Sequence, residues 1–351
     1  MIVASPPGLA VARLDATAWE RLAHAPAGSG AGALLGGLVY GGEATDCRPQ
    51  SLARAGAVRA RVLSPGGARI DAWLATGPVV EGCSGHLAWR HDGRWLFGVI
   101  ELDEADEGGL EALARTAYDE VFATLAETGF ANLLRLWNYL PRINADDGGL
   151  ERYRQFNAGR QAAFLAAGQA AFEGAPAACA IGTPGGPFCV RFLAGRQAPI
   201  ALENPRQVSA YRYPPAYGPR APTFSRAALV QSGEDEVALL VSGTASIVGH
   251  ETLHPGDARA QTRETLANVR ALLGVARERS SARFEMGELE CVVYVRRARD
   301  AAEIRSELED ALGADCRALR SAVMLEADIC RSELLVEIEA HGFAPGRTGR
   351  A

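Results

Sequence analysis

The sequence predicts a mixed α+β fold built from repeated units, and two observations carry that prediction. Strand-like and helix-like segments follow each other in one order over residues 95–193 and again over 237–340. Within that order, Arg115-Thr-Ala-Tyr-Asp-Glu-Val121-Phe-Ala123-Thr-Leu125 aligns without gaps to Arg263-Glu-Thr-Leu-Ala-Asn-Val269-Arg-Ala271-Leu-Leu273, with Arg, Val, Ala and Leu in register. Weak identity combined with identical element order is the signature of duplicated units. The stretch before residue 81 has the length of a reduced third unit. The expected domains are therefore 1–80, 81–220 and 221–351.

Each element has a local reason. Asp15–Leu22 reads as a short helix, and Leu35–Tyr40, Val58–Leu63 and Ala72–Leu74 as strands between Gly and Pro breaks. Gly28-Ser-Gly-Ala-Gly32 lacks the spacing of a dinucleotide fingerprint. Trp95–Leu102 is a strand, Gly109–Thr128 a helix stopped by a C′ glycine at Gly129, and Leu133–Leu140 a strand stopped by Pro141. Leu150–Phe172 is a second helix, and Cys179–Gly182 with Phe188–Leu193 suggests a hairpin around Pro-Gly-Gly. The last third gives strands at Val237–Ser242, Leu289–Val295, Ala322–Glu326 and Leu334–Ala340, with helices at Ala260–Val275 and Ala301–Leu312.

Composition excludes several function classes. All 36 basic residues are arginine, so no lysine can form a Schiff base or grip phosphate in a P-loop. A GC-rich codon bias explains most of that preference. A net charge of -6 argues against a nucleic-acid partner. No apolar run is long enough to span a bilayer, and the Met1-Ile-Val-Ala-Ser-Pro-Pro start has no signal-peptide pattern. Seven scattered cysteines (47, 83, 179, 189, 291, 316, 330) without C-x-x-C read as reduced, mostly core residues of a cytoplasmic protein. His250-Glu-Thr-Leu-His254 spells a zinc-protease pattern, which works only on a helix. Gly249 before it and Pro255-Gly256 after it make it a loop instead. No Ser-His-Asp set or G-x-S-x-G elbow appears.

The remaining motifs carry a family resemblance. Ser242-Gly-Thr-Ala-Ser246, Gln261-Thr-Arg-Glu-Thr-Leu-Ala-Asn268, Arg320-Ser-Ala-Val323 and Val336-Glu-Ile-Glu-Ala340 resemble the RidA/YjgF imine deaminases, a fold that trimerises around a central barrel. In that family the arginine of the third motif grips a substrate carboxylate and the first glutamate of the fourth acts at the reacting centre. Those roles would fall on Arg320 and Glu337. The chain is much longer than one such unit. Leu136-Trp-Asn-Tyr-Leu-Pro-Arg-Ile-Asn144, Tyr153-Arg-Gln-Phe-Asn-Ala-Gly-Arg160, Glu203-Asn-Pro-Arg-Gln-Val-Ser-Ala-Tyr-Arg-Tyr-Pro214 and Phe224-Ser-Arg226 are similar to the chorismatases, over roughly residues 95–345.

That second resemblance implies a monomer imitating the RidA trimer with pseudo-threefold symmetry. Its active site would lie between the central and C-terminal domains. It also implies chorismate as substrate, pyruvate as one product, and no cofactor or metal. The aromatising subtypes carry a cysteine seven residues before the catalytic glutamate and a glycine in the strand motif. Cys330 and Gly243 match both markers, which points to 3-hydroxybenzoate, with or without some 4-hydroxybenzoate, rather than the dihydroxycyclohexadiene carboxylate of the hydrolytic subtype.

The chemistry is compatible with these residues. Protonating the enol ether methylene makes an oxocarbenium ion and releases pyruvate. Strand alternation puts Glu337 and Glu339 on one face, opposite Val336 and Ile338. An apolar wall and a like-charged neighbour would raise the Glu337 pKa enough for an acid at neutral pH. Cys330 would line the ring pocket. The two substrate carboxylates need cations, and Arg142, Arg160, Arg206, Arg226 and Arg320 lie in the motif segments; Tyr211 and Tyr213 offer hydroxyls or ring faces. For each of these a structural role competes with ligand contact. An imine deaminase is the first competing function, disfavoured because Ala178 stands where the central unit would need the RidA arginine. A non-catalytic metabolite-binding protein is the second.

Overall fold

The computed structural model describes residues 8–23, 32–41, 56–64, 69–104 and 108–349. Cys47, positions 28–31 of the glycine-rich stretch and the first seven residues lie outside the described residues.

The N-terminal unit comprises β1 (Ala10–Leu14), α1 (Ala16–Ala23), β2 (Ala33–Tyr40), β3 (Gly56–Val58), β4 (Arg61–Val62) and β5 (Arg69–Ala75). The central unit runs through β6 (Val80–Ser84), β7 (Leu87–His91), β8 (Trp95–Leu102), α2 (Leu110–Thr128) and β9 (Asn132–Pro141). It continues with the small hairpin β10 (Asp146–Asp147) and β11 (Leu150–Glu151), then α3 (Arg152–Ala166), β12 (Ala177–Thr183) and β13 (Phe188–Gly195). The C-terminal part starts with β14 (Ile200–Leu202), β15 (Ala227–Gly233), β16 (Glu236–Ala245), β17 (Ile247–Val248), β18 (Glu251–Thr252) and α4 (Ala258–Arg279). It ends with β19 (Glu290–Val295), α5 (Ala301–Leu312), α6 (Arg317–Ser321), β20 (Val323–Glu326), β21 (Asp328–Ile329) and β22 (Val336–Pro345).

The duplication seen in sequence is a shared sheet connectivity. In the central sheet β8, β13, β9 and β12 are adjacent in that order, with two antiparallel pairings and then a parallel one. The C-terminal sheet repeats this with β16, β22, β19 and β20. The N-terminal sheet has it too, with β1, β5, β2 and β3, and only the short α1 beside it. Parallel neighbours need a crossover, which is why helices separate β9 from β12 and β19 from β20.

Two strands stitch the sheets to one another. β21 pairs with the free edge of β12, and β4 with the free edge of β20. One apolar core packs the central sheet on α2 and α3, and another packs the C-terminal sheet on its helices. A third core joins side chains of all three sheets, among them Trp73, Trp137, Tyr294 and Leu325.

The helix over 110–128 has the expected cause. Leu110, Leu113, Ala114, Ala117, Val121 and Leu125 are buried at helical spacing, and Gly129 closes it at φ 71°. Three expectations differ. Cys179–Gly182 and Phe188–Leu193 form no hairpin, because β9 lies between β12 and β13 and pairs with both. The second helix stops at Ala166, six residues early. Val58–Leu63 divides into β3 and β4, which join different sheets. Unanticipated strands include β1, β6, β7, β14 and β15. No helix among the described residues is long and apolar enough to cross a membrane.

Candidate active site

Glu337 defines the site. It is 4% exposed on β22 and faces a cavity of about 230 Å³ where the start of α3 meets the C-terminal sheet. Three segments build the walls. The N-terminal turn of α3 supplies Tyr153 and Arg154, the connection over 203–226 supplies Tyr213, Tyr217, Phe224 and Arg226, and the link from β21 to β22 supplies Cys330 and Arg331.

The floor is a β-bulge. β22 pairs with β16 as Val241↔Ala340 and then Thr244↔Ile338, so β16 carries one residue more than its partner between those pairs. The extra residue falls at Ser242-Gly243. Ser242 Oγ donates to the Ser225 carbonyl at 2.6 Å and accepts from the Ala178 N–H at 2.9 Å, tying the bulge to the central sheet. Thr244 Oγ1 donates to the Ser242 carbonyl at 2.8 Å. A Cβ on Gly243 would overlap a carboxyl oxygen of Glu337 and come within 2.8 Å of its Cδ. The glycine is thus what lets the carboxyl lie against the strand backbone.

Helix α4 holds the wall from behind. Asn268 Nδ2 donates to the carbonyls of Ala245 and Ile247 at 3.0 and 2.9 Å. Gln261 Nε2 donates to the Glu333 carbonyl at 2.9 Å, and its Oε1 accepts from the Leu335 N–H at 2.7 Å. Both residues belong to the 261–268 motif, whose polar positions brace the strand ends that carry Gly243 and Glu337.

Electrostatics favour a protonated acid. Burial raises the Glu337 pKa to about 8, and the neighbouring Glu339 adds to it, against a lowering by Arg135, Arg296 and Arg226. Burial also pushes the Cys330 thiol up to about 12, with Glu337 as the next cause, so this sulfur is S–H at neutral pH.

Two cations line the same cavity. Arg226 is buried; one Nη donates to Tyr213 Oη and to the Val208 carbonyl, both at 2.8 Å, and its Nε has no partner. Arg331 packs over Tyr217 at 4.1 Å and over Tyr213 at 5.1 Å. Its Nη1 donates to the His250 carbonyl at 2.8 Å, whereas its buried Nη2 has no partner. Tyr217 Oη donates to the same carbonyl at 2.7 Å. Two guanidinium groups, stacked on tyrosine rings and each with a donor to spare, make a receptor for carboxylates.

Of the residues expected from sequence, Glu337, Cys330, Gly243, Tyr213 and Arg226 meet at this cavity. Arg160 is 1% exposed over the Phe156 ring at 4.6 Å and is not part of its lining. Arg142, Arg206, Tyr211 and Arg320 are also elsewhere. Arg142 is exposed in a left-handed turn at φ 53°. Arg206 is taken up by Asn268 at 2.7 Å and Glu264 at 2.5 Å. Tyr211 packs edge-on against Phe172. Arg320 is exposed on α6, which leads into β20; that strand's edge takes β4, and the adjacent Ser321 carbonyl accepts from Arg13 of β1. Arg320 therefore stands beside the N-terminal unit, away from Glu337. Sequence reasoning missed Arg331, Tyr153 and Tyr217. Arg331 adjoins Cys330, and that adjacency was the available signal.

The zinc-protease spelling forms a hairpin tip. β17 pairs with β18, His254 has φ 56°, and its Nε2 lies 3.6 Å from Glu264. The described residues hold no group of three or more His, Cys, Asp or Glu able to bind a metal ion.

Known proteins of one family are similar to this chain. The family model described as "Chorismatase FkbO/Hyg5-like, N-terminal" matches residues 71–194. A 3-hydroxybenzoate synthase of Streptomyces hygroscopicus is 37% identical over 278 residues, covering 77% of this chain and 80% of that protein. A chorismatase of Streptomyces rapamycinicus is 38% identical over 281 residues, with the same coverage. The crystal structure of a chorismatase superimposes with a TM-score of 0.82 at 31% identity, over 96% of this chain and 99% of that one. On this identity, coverage and shared fold, the chain belongs to the chorismatase family.

Proposed function

We propose that this protein converts chorismate to 3-hydroxybenzoate and pyruvate, with Glu337 as the general acid. The observation that carries the proposal is a buried carboxyl, protonated near neutral pH, in a cavity whose lining also holds two guanidinium groups with unused donors. A dianionic enol ether needs that combination: cations for its carboxylates and a proton source held against a carbon. The match to a protein named 3-hydroxybenzoate synthase supports the product assignment.

Glu337 delivers its proton to the methylene carbon of the enolpyruvyl arm. The C4 hydroxyl oxygen then attacks C3 and loses its proton while the C3–O bond breaks and pyruvate leaves, giving a 3,4-epoxide. Its C4–O bond opens, the oxygen on C3 takes up a proton, and loss of the C3 hydrogen as a proton aromatises the ring. 3-Hydroxybenzoate and pyruvate together contain the atoms of chorismate, so no water is consumed. Arg226 and Arg331 take the carboxylates. Tyr213 orients both cations, and Cys330, as a neutral thiol, shapes the ring pocket. This reading redraws the clamp expected from sequence: Arg331 joins it, and Arg142, Arg160, Arg206 and Arg320 leave it. Arg320 beside the N-terminal unit and Ala178 at the Ser242 bulge leave the cavity without the RidA arginine, which disfavours imine deamination.

The units 1–80, 81–220 and 221–351 are read as three pseudo-equivalent domains of a monomer working in the cytoplasm. Their common strand order and the free cysteines among the described residues support that reading.

Incubating the purified protein with chorismate and resolving products by chromatography tests the function. Pyruvate and 3-hydroxybenzoate in equal amounts are expected, and Glu337→Gln should abolish both. Undiminished pyruvate release by Glu337→Gln would remove Glu337 from the mechanism.

A further inference from the structure

Behind the cavity lies a second buried carboxylate for which the mechanism has no use so far. Glu339 shares the Glu337 face of β22 and is 4% exposed. Arg135 of β9, 3% exposed, donates to it from Nη2 at 2.5 Å. The guanidinium is itself seated over the Trp137 ring at 5.3 Å. Ion pairs this deep are seldom retained for stability, because well-packed apolar residues of the same volume do as well. Neither residue of the pair lines the cavity.

We propose that the buried Arg135–Glu339 pair is a positioning element for Glu337: a fixed negative charge, two residues along the same strand face, that keeps the proton on the Glu337 carboxyl. The inference rests on the reading of Glu337 as the general acid. The salt bridge to Arg135 fixes the Glu339 carboxylate in place, and a second negative charge beside it on the same strand face is costly.

The groups around Glu337 come from every packed element. Glu151, Arg154, Arg331 and Glu333 line the same cavity, and the seven groups that couple to Glu337 are Glu339 on its own strand, Arg135 on β9, Cys179 on β12, Tyr153 on α3, Arg226 ahead of β15, Arg296 after β19, and Cys330 before β22. Three of these are cations, all of which favour ionised Glu337. Cys179 and Tyr153 are pushed upward by burial and stay neutral. Cys330 is also neutral, so Glu339 is the one fixed charge in this set that favours the acid form. After burial it is the largest influence on Glu337 and outweighs its own partner Arg135.

The size follows from geometry. Two residues along a strand are separated by about 7 Å. Unit charges at that distance, in an effective dielectric of about 20, change a proton affinity by roughly one to two pH units.

The test is the pH dependence of kcat for pyruvate release from chorismate. Activity that needs protonated Glu337 falls as pH rises through its pKa. Glu339→Gln should move that alkaline limb down by roughly one to two pH units, and Glu339→Asp, which keeps the charge, should restore most of it. Glu339→Gln leaves Arg135 buried without its partner and is at risk of misfolding. The double variant Arg135→Met/Glu339→Gln removes both charges together, and its limb should also lie below that of the wild type. A limb that stays in place while kcat falls evenly at all pH values, in either the single or the double variant, overturns the proposal and makes the pair structural. Full activity of Glu337→Gln would instead defeat the parent reading of the acid.

Discussion

Replacing Glu337 with Gln should stabilise the folded protein, and increasingly so as pH rises. The reason is linkage. Glu337 has a folded pKa of about 8 against an ordinary 4.5, chiefly through burial. The folded state therefore binds this proton more tightly than the unfolded chain. Such a carboxyl contributes stability that is fully present below the unfolded value and is lost as pH climbs through the folded one. The gap of about 3.5 units, at 1.36 kcal/mol each, amounts to about 5 kcal/mol above pH 8 and about 3 kcal/mol at pH 7. Glutamine has no proton to lose, so its stability escapes this decline. Urea unfolding of both proteins at pH 5, 7 and 8.5 measures the effect directly. The difference in unfolding free energy, Glu337→Gln minus wild type, should grow by several kcal/mol across that range. Two curves that run parallel from pH 5 to 8.5 would refute the idea that Glu337 is a buried acid held protonated, whatever happened to the activity.

Other expectations concern the cavity walls. Gly243→Ala places a methyl group on the Glu337 carboxyl and should reduce kcat while moving product from 3-hydroxybenzoate towards the diene; chromatography of the products reads both. Arg331→Met removes a donor to a charged ligand, worth about 1.5–3 kcal/mol, and should raise KM for chorismate by roughly ten- to a hundred-fold. An unchanged KM would return Arg331 to a purely structural role over Tyr217. Cys330→Ala should shift the product ratio towards the diene; a constant ratio would separate the thiol from steering.

Much of the architecture was legible because it rests on local chemistry. The helices over 110–128 and 301–312 show their apolar periodicity and their glycine stops, and the strand 95–102 its bounds. The hairpin between Cys179 and Leu193 was misjudged for a non-local reason. Pro-Gly-Gly permits a tight reversal, but whether the flanking strands pair with each other depends on what else competes for their edges, and β9 takes both. The N-terminal strands show no sequence likeness to the other sheets yet share their connectivity, since β1, β5, β2 and β3 keep the same order and pairing senses.

The arginines divide along the same line. The family resemblance pointed to Glu337, Cys330 and Gly243, and strand alternation added only that Glu337 shares its face with a second carboxyl, Glu339. Which cations face that carboxyl was beyond the sequence, because a guanidinium on a long flexible stem finds its partner through tertiary contacts. Arg206 is absorbed by Asn268 and Glu264, and Arg320 sits by a different unit. Arg331, which no motif advertised, is the one held over Tyr217 with a buried donor left free. What the sequence by itself determined was the element order and an all-arginine cation set, and its motifs carried the resemblance that implies the chemistry. The tertiary structure decided the acid's proton affinity and its partners, because burial and the convergence of distant segments set both.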